Sequence, residues 1–338
     1  MSQTPSISRA TRLLSPDEAG IAEAASLLRA GGLVAFPTET VYGLGADATD
    51  PRAVAALYAA KGRPQFNPLI AHVTGLEAAR AQGVFDPAAR TLARALWPGA
   101  VTLVVPVAPE GSVCELARAG LASVALRVPA HHLARTLLEA AGRPVAAPSA
   151  NLSGHVSPTT AAHVLADLGG RIDAVIDGGA TQIGVESTIV ACLGGGPLLL
   201  RSGGVTRSAI ERVIGRLGDE PEEHGSRNGT RPLSPGLLAS HYAPEARVRL
   251  AALVVEPDEA VLLFGSTRPQ GLARAAAALN LSESGDLVEA AANLFSHLRS
   301  LDASLAGAKG SRIAVAPIPD EGLGEAINDR LRRAAGER

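Results

Sequence analysis

The sequence predicts an α/β protein of two units, a large one over residues 1–216 and a smaller one over 246–338, joined by a polar linker over 217–245. Three observations carry this. Up to about residue 215, eight short apolar runs rich in β-formers alternate with helical stretches, the pattern of a large mixed sheet. The segment GDEPEEHGSRNGTRPLSPGLLASHYAPEA is rich in Gly, Pro and Ser and has no apolar periodicity, which marks a linker. Beyond it the alternation resumes, and 338 residues are a prior of about two domains.

The elements follow in order. Ser15-Pro16-Asp17-Glu18 reads as a capping box with Pro at the first helical position, and Gly31-Gly32 closes that helix. Asp50-Pro51 opens the next helix and Gly62 ends it, while Asp86-Pro87 opens another that closes near Trp97-Pro98-Gly99. The strand candidates are LVAF, LIAHV, VTLVVPV, SVALRVP, PVAAP, AVID, STIVACL and PLLLR. After the linker come the strands VRLAALVV and AVLLFGS, an Ala-rich helix, the helix DLVEAAANLFSHLRSLDASL, the strand RIAVAPI and the helix GLGEAINDRLRRAAG.

Composition excludes several classes. With 46% hydrophobic and 19% charged residues the chain is too apolar to be disordered. No apolar run approaches the ~20 residues that span a bilayer, and MSQTPSISRATRLLSPDE lacks the apolar core of a secretory signal. Cys114 and Cys192 form neither a CxxC pair nor a disulfide framework, so they read as buried thiols in a reducing cytoplasm. Thirty-one basic against 33 acidic residues, net −2, argue against tight non-specific nucleic-acid binding, although a local basic groove stays open. All the basic residues except Lys61 and Lys309 are Arg, which draws attention to a Lys retained in such a background.

Several segments carry chemistry. In FPTETVYGLGADA the GLGADA matches the GxGxxA spacing of dinucleotide loops, but the acid expected about 20 residues on is missing. PTETVYG sets two hydroxyls, a carboxylate and a phenol between a strand and a Gly pair, as a site loop or as a hydrogen-bonded turn. In KGRPQFNPLIAH, Lys61, Arg63 and Asn67 on a Pro-braced loop suit a polyphosphate, Arg for forked contacts and Lys as a point charge. A cation ending a helix also serves as a simple dipole partner. His72 lies in an apolar strand and is either a core histidine or a ligand. Arg127, the one charge in SVALRVP, needs a partner: a structural salt bridge or a substrate carboxylate. PVAAPSANLSGHVSPT runs from a buried strand into a loop of small residues of the kind that binds anions through backbone N–H groups. There is no GxSxG elbow, Walker A motif, HExxH or zinc spacing.

Taken together, PTETVYGLGADA, KGRPxxNPLIAH, WPGAVTLVV, VALRVP, APSANLSGHVSPT, GVESTIV and LLRSGG closely resemble the threonylcarbamoyl-AMP synthase (YrdC-like) family. SPGLLASHYAP followed by a small α/β unit resembles its long two-domain form. The resemblance implies a twisted mixed sheet with helices around a deep cavity, plus a smaller Rossmann-like α/β domain. It implies an enzyme, a nucleotidyltransferase that makes threonylcarbamoyl-AMP and pyrophosphate from L-threonine, bicarbonate or CO2, and ATP. That product supplies the threonylcarbamoyl group of t6A37 beside the tRNA anticodon. By position Arg127 holds the threonine carboxylate, Thr40, His72 and Ser187 contact threonine, and the Ala147 backbone lies in the same pocket. Arg63, Asn67, Ser123, Ser149, Ser157, Arg201 and Tyr242 match nucleotide-binding positions; Lys61 and Arg63 act on the phosphates, and Asn151 orients its loop. Mg2+ is expected with ATP and no protein metal site, with Glu39 and Glu186 the acids to test near it. The product passes to the tRNA threonylcarbamoyl-transfer machinery, with direct tRNA binding weak or absent and a cytoplasmic location. Tyr242 on the linker is expected to close over the nucleotide as part of a lid. An RNA-binding or ribosome-associated factor is the alternative. A carbamoyl-transfer enzyme of hydrogenase maturation would need cysteine-rich metal modules that two cysteines do not supply.

Overall fold

A computed structural model describes residues 10–219, 242–307 and 310–336. The large unit contains the strands β1 (Arg12–Leu14), β2 (Val34–Phe36), β3 (Gly43–Asp47), β4 (Ile70–His72), β5 (Val101–Pro106), β6 (Ser123–Arg127), β7 (Val145–Ala146), β8 (Ala174–Ile176), β9 (Thr188–Ala191), β10 (Leu198–Arg201) and β11 (Gly218–Asp219). They form one mixed sheet in the order β1-β8-β2-β3-β7-β4-β6-β5-β9-β10-β11. Each of the eight apolar runs is a strand of it. Helices α1 (Glu18–Arg29), α2 (Pro51–Lys61), α3 (Leu76–Arg80), α4 (Pro87–Leu96), α5 (His132–Ala141), α6 (Ala161–Leu168) and α7 (Arg207–Ile214) complete the unit.

The period-2 alternation of the strands sorts side chains onto two buried faces. Val34 and Phe36 pack with Leu28 and Leu137 of α1 and α5, whereas Ala35, Leu44, Leu103 and Leu126 join Val54, Leu57 and Leu92 of α2 and α4. Asp50 and Asp86 cap α2 and α4 with Pro at the first turn, and Gly62 ends α2 in the left-handed region at φ 60. At α1 the cap is Asp17, whose carboxylate accepts from Gly20 N at 2.8 Å, one residue pair later than the capping box predicts. Ser15 instead donates to Asp17 at 2.8 Å.

Two sequence readings change. GLGAD is no glycine-rich loop before a helix but the fully buried strand β3, antiparallel to β2, which removes the dinucleotide fingerprint. Gly45 is required there, since a Cβ would stand 2.9 Å from the Phe36 ring and 3.1 Å from Val145. The Ala-rich stretch after the linker is no α-helix either: beyond a single 3-10 turn at Leu272–Arg274 it is extended. Ala277–Asn280 forms a strand that pairs along its whole length with its neighbour, and this ladder outweighs the helix propensity of a short Ala run.

The small unit is a parallel sheet of β12 (Arg247–Arg249), β13 (Ala260–Leu263), β14 (Ala277–Asn280) and β15 (Arg312–Val315), ordered β12-β15-β13-β14, with α8 (Leu287–Ser304) and α9 (Gly324–Ala335). Most of the linker reading, and with it the lid, falls on 220–241, outside the described residues. Of its flanks, Gly218–Asp219 pairs with β10 and Tyr242 is buried. The units share a core: Val41, Val156 and Val185 of the large one cluster with Leu294 and Phe295 of α8. No helix among the described residues is long and apolar enough to cross a membrane.

Candidate active site

Parallel pairing of β4 with β6 puts His72 opposite Arg127, each the last residue of its strand. Open α/β sheets bind ligands at such carboxyl ends. A cavity of about 530 Å³, counting its open mouth, lies there. Its wall includes Thr40, Arg63, His72, Arg127, Ala147, Ser149, Ser187, Arg201 and Tyr242, nine of the predicted site residues. The isolated bridge between Gly43 and Ser149 brings the PTETVYG and SAN loops together at its side.

Arg127 is held by three partners. Nη2 meets Glu39 Oε1 at 2.7 Å, Nη1 donates to Thr40 Oγ1 at 2.9 Å and Nε to the Gly99 carbonyl at 3.3 Å. The structural salt bridge left open by the sequence therefore exists, and Arg127 also faces the cavity. Burial works to raise the Glu39 carboxyl, but Arg127 outweighs it and keeps the pKa below the usual value. Burial, with Arg127 beside it, pushes His72 down to about 3, so the imidazole is neutral. Its Nδ1 is buried without a hydrogen-bond partner among the described residues, and the ring meets Phe36 edge-on at 6.4 Å.

Arg63 is braced by its own loop, Nη2 to the Pro68 carbonyl at 3.0 Å and Nε to Asn67 O at 3.3 Å. Burial lowers its pKa to about 10. Arg201, the last residue of β10, donates through Nη2 to Ser187 O at 2.8 Å, and Thr102 meets the Ser187 hydroxyl at 2.8 Å. Thr102 was missed, although a lone hydroxyl in VTLVV was a visible signal. Arg63, Arg127 and Arg201 are only 8%, 4% and 6% exposed. These cations face a cavity, whereas a surface that grips nucleic acid would expose them.

Four predicted residues are not brought to the cavity wall. Lys61 Nζ donates to Ser149 O at 2.6 Å and to Asn151 O, so its ammonium holds the SAN loop. Its burial, with the charge of Arg63, drops its pKa far below the ordinary lysine value. Asn67 offers its carbonyl to Tyr58 Oη at 2.9 Å. Ser123 begins the strand that Arg127 ends, about 13 Å away at ~3.3 Å per residue. Ser157 donates to Glu186 Oε1 at 2.6 Å.

Glu186 lines the cavity, and its other oxygen accepts from Arg330 Nε of α9 at 2.8 Å. Sequence reasoning missed Arg330, because NDRLRRAA reads as the solvated face of an amphipathic helix. Glu39 and Glu186, the acids to test near a metal, each face a guanidinium. Among the described residues no group of three or more His, Cys, Asp or Glu side chains gathers to hold a metal ion.

The chain matches known families in two parts. Residues 26–203 match a family model described as "Telomere recombination", and 205–336 match one described as "Threonylcarbamoyl-AMP synthase, C-terminal domain". A threonylcarbamoyl-AMP synthase of Bacillus subtilis is 42% identical over 339 residues, covering 96% of this chain and 95% of that protein. One of Pyrococcus abyssi is 42% identical over 333 residues, covering 93% and 94%. The crystal structure of P. abyssi Sua5 complexed with L-threonine has a TM-score of 0.85 at 38% identity, covering 96% of this chain and 98% of that one.

Proposed function

The chain belongs to the threonylcarbamoyl-AMP synthase family, and from that premise we propose the reaction it carries out and the part each residue takes. The reaction is a nucleotidyl transfer. The neutral amine of L-threonine forms an N–C bond to CO2, supplied as such or from bicarbonate, and loses a proton. A carbamate oxygen then attacks the α-phosphorus of ATP. The Pα–O bond to the β-phosphate breaks, and its electron pair leaves with pyrophosphate. No protein nucleophile is needed, so catalysis rests on positioning and charge neutralisation.

The observation that carries this reading is the convergence of three buried guanidiniums and a neutral imidazole on one cavity. In it Arg127 takes the threonine carboxylate by its unused N–H groups, with Thr40, Ser187 and the Ala147 backbone around the amino acid. His72 supplies an uncharged ring nitrogen beside the amine. Arg63 and Arg201 neutralise the phosphates, with Ser149 and Tyr242 along the nucleotide on the cavity wall and Asn67, Ser123 and Ser157, which do not line that wall, meeting it only if it extends beyond. Lys61 acts on the phosphates by exchanging one of its loop carbonyls for an oxygen anion. Mg2+ enters with ATP as part of the substrate, because both nearby carboxylates are neutralised by Arg and a hard cation prefers free oxygens. The large unit houses the chemistry. The product goes to the tRNA threonylcarbamoyl-transfer machinery, without tight tRNA binding by this chain, in the cytoplasm. The free Cys114 and Cys192 suit that reducing compartment.

The test is incubation with ATP, L-threonine and bicarbonate, reading threonylcarbamoyl-AMP by mass spectrometry. Threonine-dependent appearance of the adduct and of pyrophosphate is expected; ATP turnover indifferent to threonine would overturn the reading.

A further inference from the structure

A guanidinium with none of its surface exposed sits at the seam between the two units. Arg330 lies on α9 of the small unit, yet its Nε bonds Glu186 of the large unit at 2.8 Å and its Nη1 bonds Asp329 at 2.6 Å. Its guanidinium carbon stands 5.2 Å from the centre of the Tyr242 ring, in cation–π range. Phe295 of α8 stacks on that ring at 5.6 Å. Tyr242 and Glu186 both line the cavity, and Glu186 also receives the Ser157 hydroxyl.

Burying a charge this completely is costly, and a small unit that served as ballast would not need one at its junction. What Arg330 touches is specific. It fixes one oxygen of Glu186, which leaves the other to orient Ser157. It also backs Tyr242, a residue whose φ of 63 is strained for a non-glycine and which needs neighbours to hold it. We propose that Arg330 is a positioning residue for the nucleotide half of the active site, through which the small unit sets Glu186, Ser157 and Tyr242 for ATP while leaving the threonine half to Arg127. The inference rests on the reaction proposed above and assigns the small unit its part in it.

The experiment measures KM for ATP and for threonine separately in Arg330→Met and Arg330→Lys, in the full chain, with thermal unfolding in parallel. Arg249→Gln serves as control, since its ion pair with Glu259 lies in the small unit away from the cavity. The expected result for Arg330→Met is an ATP KM raised about ten- to a hundred-fold, with threonine KM within about twofold of wild type. Arg330→Lys keeps the charge but not the fork, and an intermediate rise is expected. Arg249→Gln is expected to lose stability without moving either KM. If the methionine variant does not fold, the lysine variant decides alone. A folded variant with wild-type ATP KM, or one that loses both substrates equally, overturns the proposal. Wild-type protein that makes no threonine-dependent adduct overturns the reaction instead, so the two failures are distinct.

Discussion

Arg127 occupies the cavity wall already paired, so its charge is measurable only together with that of Glu39. Arg127→Ala alone strands a buried carboxylate, which typically costs about 3–5 kcal/mol of stability. The informative variant is Arg127→Ala with Glu39→Gln, which removes both charges. It is expected to fold and to raise the threonine KM roughly 30- to several-thousand-fold, the equivalent of about 2–5 kcal/mol for a truncated charge pair. Unchanged threonine affinity would leave Arg127 a salt-bridge residue only. For His72, a pKa of about 3 means that the native ring binds no proton from pH 5 to 8. Its NMR signals are expected to stay flat over that range. Because the unfolded ring protonates near 6.5 and the native one does not, this residue costs stability as the pH falls below 6.5 toward 3. A titration midpoint near 6.5 in the native protein would refute the neutral assignment.

At the scale of elements, what was legible in the sequence was what local chemistry dictates. Asp50-Pro51 and Asp86-Pro87 cap helices whatever surrounds them, and eight apolar runs became strands because both faces of the sheet are covered. GLGAD and the Ala-rich strand β14 were misread because their partners are distant: Phe36 and Val145 fill the space above Gly45, and β13 supplies the ladder for β14. The same reason divides the site. Arg127 announced itself as a charge in an apolar strand, whereas Arg330 is buried by a unit that no local pattern reveals. Gly184, in GVESTIV, is the corresponding case for a loop. It sits at φ 75, and a Cβ there would lie 2.3 Å from the Ala291 carbonyl and 2.5 Å from Ala292 Cα of α8. Gly184→Ala is therefore expected to push α8 off the large unit, lowering stability by about 1–3 kcal/mol in denaturant unfolding. An unchanged midpoint would show that the seam yields freely.

The whole molecule is held at that seam by charges as well as by packing. Asp167 on α6 meets Arg299 of α8 at 3.1 Å, and Arg299 also reaches the Val156 carbonyl. Burial works to raise the Asp167 carboxyl, but hydrogen bonds from His155 and Arg299 outweigh it and bring the pKa to about 2. A carboxyl depressed in the native state stabilises fully above its unfolded value near 3.9, and the contribution disappears as the pH falls toward 2. Acid is expected to loosen the seam over that interval, and Asp167→Asn to flatten the loss. An Asn variant with the acid sensitivity of wild type would remove Asp167 from the account.

The ion pair between Glu186 and Arg330 spans 144 residues of sequence. A ribosome adding ~5–20 residues per second needs about 7–30 s to cover that span. For that time every nascent copy carries the Glu186 carboxylate without the counter-charge that faces it in the finished chain. On the role proposed for Arg330, the setting of Glu186, Ser157 and Tyr242 is complete only once α9 has been made.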